Sequence, residues 1–128
     1  MMVYKLIPVL YTAEIQQTID FYVQKLGFAC TAYQPAWGWA SMQLDQAELM
    51  ISLPNQHFPF AKPIFTGSFY FLTDKVALLW NRAIAQQLQI CYPLEEFEYG
   101  MKEFAIYDNN GYILQFGQPL TLSQSASI

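Results

Sequence analysis

Residues 12–27, TAEIQQTIDFYVQKLG, decide the fold. Ile15, Ile19, Tyr22 and Leu26 recur at helical spacing, Thr12 stands where an N-cap belongs, and Gly27 is placed to stop the helix. Ahead of this stretch runs an apolar segment of strand length, 3–10, in which Pro8 argues for an edge or irregular pairing. Behind it, 28–33, 38–44 and 48–53 read as three strands, parted by turn signals at Pro35-Ala36 and Asp45-Gln46. Residues 54–63 read as a loop carrying His57, Phe58 and Phe60.

The pattern then begins again. Residues 65–72 form a strand pattern, Asp74 is a candidate N-cap, and Val76, Leu79, Trp80, Ala83 and Leu88 mark the buried stripe of a second helix. A short strand at 90–94 and a longer one at 101–107 lead into Asp108-Asn109-Asn110-Gly111, a strong turn because Asn and Gly accept positive φ cheaply. Residues 112–116 close the set. Thr12 and Asp74 are 62 residues apart, and Asp45 and Asp108 are 63 apart. A repeat of that length implies two strand–helix–three-strand modules, about 3–53 and 65–118, joined by a linker at 54–64. Together they make one domain over 1–120, with 121–128 a frayed tail. A single helix covers one face of a small sheet, so the other face is left as a cup for a ligand or partner.

Composition narrows the function. The 128 residues are 54% hydrophobic and 17% aromatic but only 12% charged, about half the usual charged fraction of roughly 25%. Disorder is excluded, and the apolar surplus calls for a partner subunit, an aromatic-lined cavity, or both. A net charge of −4 with six scattered basic residues lacks the basic footprint of a nucleic-acid binder. No stretch of about 20 apolar residues offers a membrane span, and the N-terminus has no secretory pattern, so the expectation is a cytoplasmic protein. Cys30 and Cys91 share no metal-type spacing and are expected to be buried free thiols.

Several strings carry a family likeness. Ile7-Pro8-Val9-Leu10 followed by Ile19-Asp20-Phe21-Tyr22 and Lys25-Leu26-Gly27-Phe28 resembles the opening strand and helix end of the vicinal oxygen chelate superfamily. This is the fold of glyoxalase I and the bleomycin resistance proteins. The run from Tyr99 to Ile106, leading into Asp108-Asn109-Asn110-Gly111, resembles the closing "GMREF…DPDGN" hairpin, with Asn109 and Asn110 replacing the usual Pro and Asp. The resemblance covers roughly 3–118. It implies an α+β fold of two βαβββ modules with a cupped mixed sheet, usually completed as a homodimer. Enzymes of the family hold a divalent metal with His, Glu or Gln side chains, and the matching positions here are Ile7, Met50 or Ser52, Ser68 and Gln115. Only Gln115 offers such a group, and one amide oxygen cannot hold such an ion tightly. The expectation is therefore no metal, no cofactor and no catalytic residues, as in the metal-free bleomycin-resistance-type members. His57 is the single histidine, so a two-histidine metal site cannot be assembled in one chain.

What remains is aromatic surface beside acid. Trp37 and Trp39 flank Gly38 at a strand start and are expected on one face, and Phe58 and Phe60 alternate likewise in the loop. Tyr92, Phe97 and Tyr99 interleave with Glu95, Glu96 and Glu98. Tyr70 and Gln115 are expected to face the cup, and the hairpin register is expected to place Lys102 and Phe104, rather than Glu103, beside Gln115 unless a bulge reverses it. The candidate ligand set is thus Trp37, Trp39, Phe58, Phe60, Tyr70, Glu96, Glu98, Tyr99, Lys102, Phe104 and Gln115. Aromatic faces and carboxylates together attract a planar cation. The implied function is sequestration of a cationic aromatic small molecule at a dimer interface. The alternatives are a metal-dependent lyase or dioxygenase using Gln115 with Glu48 or Glu103, and an interaction domain whose cup is filled by its own side chains.

Overall fold

The computed structural model describes residues 1–54 and 64–120. His57, Phe58, Phe60 and the segment 121–128 lie outside the described residues. The chain divides into two compact units, Met1–Pro63 and Ile64–Ile128. Each contains a four-stranded mixed sheet and one principal helix, and the fold is α+β with two βαβββ modules.

In the first unit β1 (Val9–Tyr11) leads into α1 (Ile15–Asp20), which widens into a π-helical turn, Phe21–Lys25. Three strands follow, β2 (Ala29–Gln34), β3 (Trp39–Leu44) and β4 (Ala47–Ser52), in the sheet order β1-β4-β3-β2. β1 runs parallel to β4, and the other neighbours are antiparallel. The predicted helical stripe is buried as a set, Ile15, Ile19, Tyr22 and Leu26, together with Leu10, Ala40, Met42, Leu49 and Ile51 from one face of the sheet. Gly27, at φ +84°, ends the helix, and the Phe28 N–H reaches back to the Tyr22 carbonyl at 2.9 Å. The Phe28 ring stands edge-on to Tyr22 at 5.1 Å.

The second unit repeats this topology. It comprises β5 (Phe69–Leu72), α2 (Val76–Ala85), β6 (Ile90–Phe97), β7 (Met101–Tyr107) and β8 (Ile113–Pro119), ordered β5-β8-β7-β6 with β5 parallel to β8. Phe71, Phe104 and Phe116 stack into a ladder on the helix side of the sheet, and Trp80 of α2 meets Phe104 edge-on at 5.3 Å.

Several local expectations are corrected. The opening strands are short, Val9–Tyr11 and Phe69–Leu72, because only those residues find a parallel partner in β4 and β8. β6 runs on to Phe97 instead of stopping at residue 94; two irregularities let it hold its pairing with β7 past Pro93, which an edge strand tolerates. Neither helix start uses the expected cap. Thr12 Oγ1 accepts from the Glu14 N–H and Thr73 Oγ1 from the Lys75 N–H, each at 3.0 Å, so the repeated device is a threonine turn before the helix. Asp74 makes no side-chain cap; the Val76 N–H goes instead to Gln118 Oε1 on β8. Cys30 is exposed and Cys91 half-buried, since both fall on edge strands, β2 and β6.

Candidate functional site

The site is set by the register of the closing hairpin. β7 and β8 are joined through five residues, because Tyr107 pairs with Ile113. Asp108 holds that loop, its Oδ1 accepting from the Asn110 and Tyr112 N–H groups at 2.8 and 2.9 Å, while Gly111 takes φ +93°. Odd-numbered residues therefore face odd-numbered partners: Ala105 lies opposite Gln115 and Glu103 opposite Gly117. β6 adds Tyr92 opposite Ala105, and β5 adds Tyr70 beside Gln115. One sheet face thus gathers Tyr70, Tyr92, Glu103 and Gln115, away from the phenylalanine ladder under α2.

These side chains form one directed network around a buried carboxylate. Glu103 is 1% exposed. Its Oε1 accepts from the Tyr70 hydroxyl at 2.8 Å, and its Oε2 from the Tyr92 hydroxyl. Gln115 Nε2 donates to the Tyr92 oxygen at 2.8 Å, and Ser68 Oγ donates to Gln115 Oε1. Every hydroxyl and amide N–H in this chain points toward Glu103, and all its members apart from Glu103 are neutral. Such an arrangement suits an anion, because the donors are fixed around it before any ligand arrives.

The phenols answer to that charge. Burial, followed by the hydrogen bond to Glu103, pushes Tyr92 up to about 12, with the Gln115 donor pulling the other way. Tyr99 is also pushed up to about 12, by desolvation of its hydroxyl and then by the neighbouring Glu103 carboxylate. Tyr70 is raised above the ordinary phenol value by the same causes in the same order. All three therefore remain donors at neutral pH. Tyr99 nevertheless stands 62% exposed, its ring stacked on Phe97 at 5.4 Å, with Phe97 in turn edge-on to Tyr92. An aromatic shelf thus lies beside the carboxylate.

The structure sorts the predicted residues. Tyr70, Tyr99 and Gln115 come together at this network. Lys102 and Phe104 do not: the odd-to-odd register turns them to the other face, with Lys102 opposite Gln118 and Glu96, and Phe104, 1% exposed, packed between Trp80 and Phe116. The expected parity is thereby reversed, and Glu103 takes the place expected for Lys102. Glu96 follows Lys102 to the helix side, and Glu98 sits in the exposed β6–β7 turn. Trp37 and Trp39 belong to the first unit. They do not share strand alternation, since Trp37 lies in a 3-10 turn, Pro35–Trp37, and Gly38 at φ +61° separates it from β3. Trp37 is 73% exposed, whereas Trp39 is partly covered opposite Ser52.

The sequence reading considers Glu103 only as a metal ligand beside Gln115 and Tyr92 only as an aromatic among the glutamates, and neither stands in the predicted ligand set. The hairpin loop length was the available signal, because closing on Tyr107 and Ile113 puts Glu103 on the face of Gln115. The family's metal positions can be judged on the same geometry. By register Val9 opposite Met50 matches Tyr70 opposite Gln115, so Met50, a thioether, is the first unit's counterpart of Gln115. Ser68 and Gln115 are bonded to each other, both ends of the Gln115 amide are engaged, and both Glu103 oxygens accept tyrosine protons. Among the described residues no three His, Cys, Asp or Glu side chains converge. This donor set does not fit a hard or borderline divalent ion.

Comparison with known proteins agrees with the fold. The model of the Glyoxalase/Bleomycin resistance protein/Dioxygenase superfamily matches residues 6–116. The chain belongs to this superfamily. Among solved structures, TioX from Micromonospora sp. ML1 matches with a TM-score of 0.74 at 17% identity, over 92% of this chain and 100% of that one. A glyoxalase/bleomycin resistance protein/dioxygenase from Alicyclobacillus acidocaldarius gives 0.74 at 15% identity, covering 94% of each chain. Lactoylglutathione lyase from Agrobacterium tumefaciens gives 0.68 at 17% identity, over 90% of this chain and 92% of that one. No curated protein matches in sequence. At such identities these structures show a shared fold alone. Among the described residues no helix is long and apolar enough to cross a membrane.

Proposed function

We propose that this superfamily member binds and sequesters a cationic aromatic small molecule without a chemical step, in the manner of a bleomycin resistance protein, and that it works as a homodimer. The observation that carries this reading is the buried Glu103 carboxylate, surrounded by neutral donors and flanked by the Phe97–Tyr99 stack. A cation approaching that face gains Coulomb attraction from Glu103 and quadrupole attraction from the rings. The engaged Gln115 amide argues in the same direction, because at the family's last metal position both its ends are already hydrogen-bonded within the network.

The test is calorimetric titration of metal-stripped protein with metal-free bleomycin and with simpler cationic aromatics, with light scattering for the oligomeric state. Saturable micromolar or tighter binding, weakened by Tyr99→Ala and by Glu103→Gln, supports the reading. Binding that is indifferent to both substitutions overturns this placement of the site. Tight retention of a divalent metal with turnover of a thiol adduct or diol would favour the lyase or dioxygenase alternative.

A further inference from the structure

Gly117 lies opposite Glu103 on β8, and a Cβ built there would stand 2.0 Å from the Tyr70 hydroxyl oxygen. The phenol end of Tyr70 therefore occupies a slot that exists only because residue 117 has no side chain. The slot's polar wall is Glu103 Oε1, which accepts from Tyr70. The two phenols on Glu103 are held very differently. Tyr92 accepts from Gln115 and packs edge-on against Phe97. Tyr70 sits on the edge strand β5, is 43% exposed, and among the described residues enters no ring contact. It can swing out without breaking the core, whereas Tyr92 cannot.

We propose that the slot over Gly117 is the seat of the ligand's head group, an N–H-bearing cation such as an amidinium or primary ammonium, and that Tyr70 fills it until the ligand arrives. The incoming N–H replaces the Tyr70 O–H on Glu103 Oε1, exchanging a neutral donor for a charged one on the same acceptor. Tyr92, Gln115 and Ser68 keep Oε2 and the carboxylate in place throughout. This inference rests on the proposed binding of a cationic aromatic and adds that the cation must carry an N–H. It makes Tyr70 a competitor of the ligand and not a wall of its site.

The experiment titrates wild type, Tyr70→Ala, Tyr70→Phe and Gly117→Ala with benzamidine, benzyltrimethylammonium and benzoate by calorimetry. Benzamidine is expected to bind wild type at least tenfold tighter than the quaternary ammonium, with benzoate excluded. Both Tyr70 variants are expected to bind it about tenfold tighter still, the factor that about 1.4 kcal/mol supplies. Gly117→Ala is expected to lose benzamidine, because its methyl occupies the seat. Tyr70→Phe keeps the ring and serves where the alanine variant folds poorly. Weaker benzamidine binding in the Tyr70 variants, or equal binding of the quaternary cation, overturns the seat. So does failure of benzamidine to bind any form. Bleomycin titrated against the same proteins tells these failures apart from failure of the broader binding reading.

Discussion

Replacing Glu103 by Gln keeps the shape of the network and removes its charge. In the wild type, the two carboxylate oxygens accept from Tyr70 and Tyr92, and the same charge raises the neighbouring Tyr99 phenol. A glutamine has one acceptor oxygen, so one phenol loses its acceptor and faces an N–H. The Tyr92 oxygen already accepts from Gln115, so it can take the new N–H only by leaving its own proton without a partner. A hydrogen bond to a charged group contributes about 1.5–3 kcal/mol, and the relief of burying an uncompensated charge offsets part of that. The expected net loss at neutral pH is about 1–2 kcal/mol by urea unfolding. The pH dependence is the sharper check. A phenol whose folded value lies above its unfolded one adds stability that is whole below pH 10.0 and is lost as pH rises through about 12. Wild type should therefore lose stability faster than Glu103→Gln across that window. Phenolate absorbance should show the Tyr92 and Tyr99 midpoints falling from about 12 toward, though not reaching, 10.0, because burial remains the larger cause. Parallel stability curves and unmoved phenolate midpoints would refute the claim that Glu103 organises these tyrosines.

Other substitutions probe separate parts of the structure. Phe104→Ala should cost about 3–5 kcal/mol in denaturant unfolding, as expected for a ring lost from the Trp80–Phe116 stack, while Phe104→Leu should leave ligand affinity unchanged because the residue faces α2. Gly38→Ala should destabilise by more than about 1 kcal/mol, since φ is +61° and the new methyl would fall 2.5 Å from the Leu53 side chain. Trp37→Ala should change unfolding stability by no more than about 0.5 kcal/mol in a urea titration, because the ring is exposed.

The modules, the helices and the closing turn were legible because their determinants are local. The stripe Ile15, Ile19, Tyr22 and Leu26 repeats within one helix, Gly27 ends it by its own backbone freedom, and Asp108 binds N–H groups two and four residues away. Such features need no knowledge of what the chain later folds against, and with the module repeat they were enough to determine the α+β architecture. The cap expected at Asp74 was misassigned for the opposite reason: the N–H of Val76 is satisfied by Gln118, from a strand that returns much later in the chain.

The functional face was decided only by tertiary structure. Whether Lys102 or Glu103 sits beside Gln115 turns on one residue of hairpin register, and a one-residue slip reverses every side chain of a strand. The bulges that bring Tyr92 onto Glu103 in β6, and the parallel pairing that carries Tyr70 to Gly117, join segments distant in sequence. The sequence by itself determined the order of helices, strands and turns, though not where each begins and ends, because propensity and periodicity act over a few neighbours. Only the paired sheet determined which acid is buried and which phenols reach it, because hydrogen-bond register between distant strands selects the face.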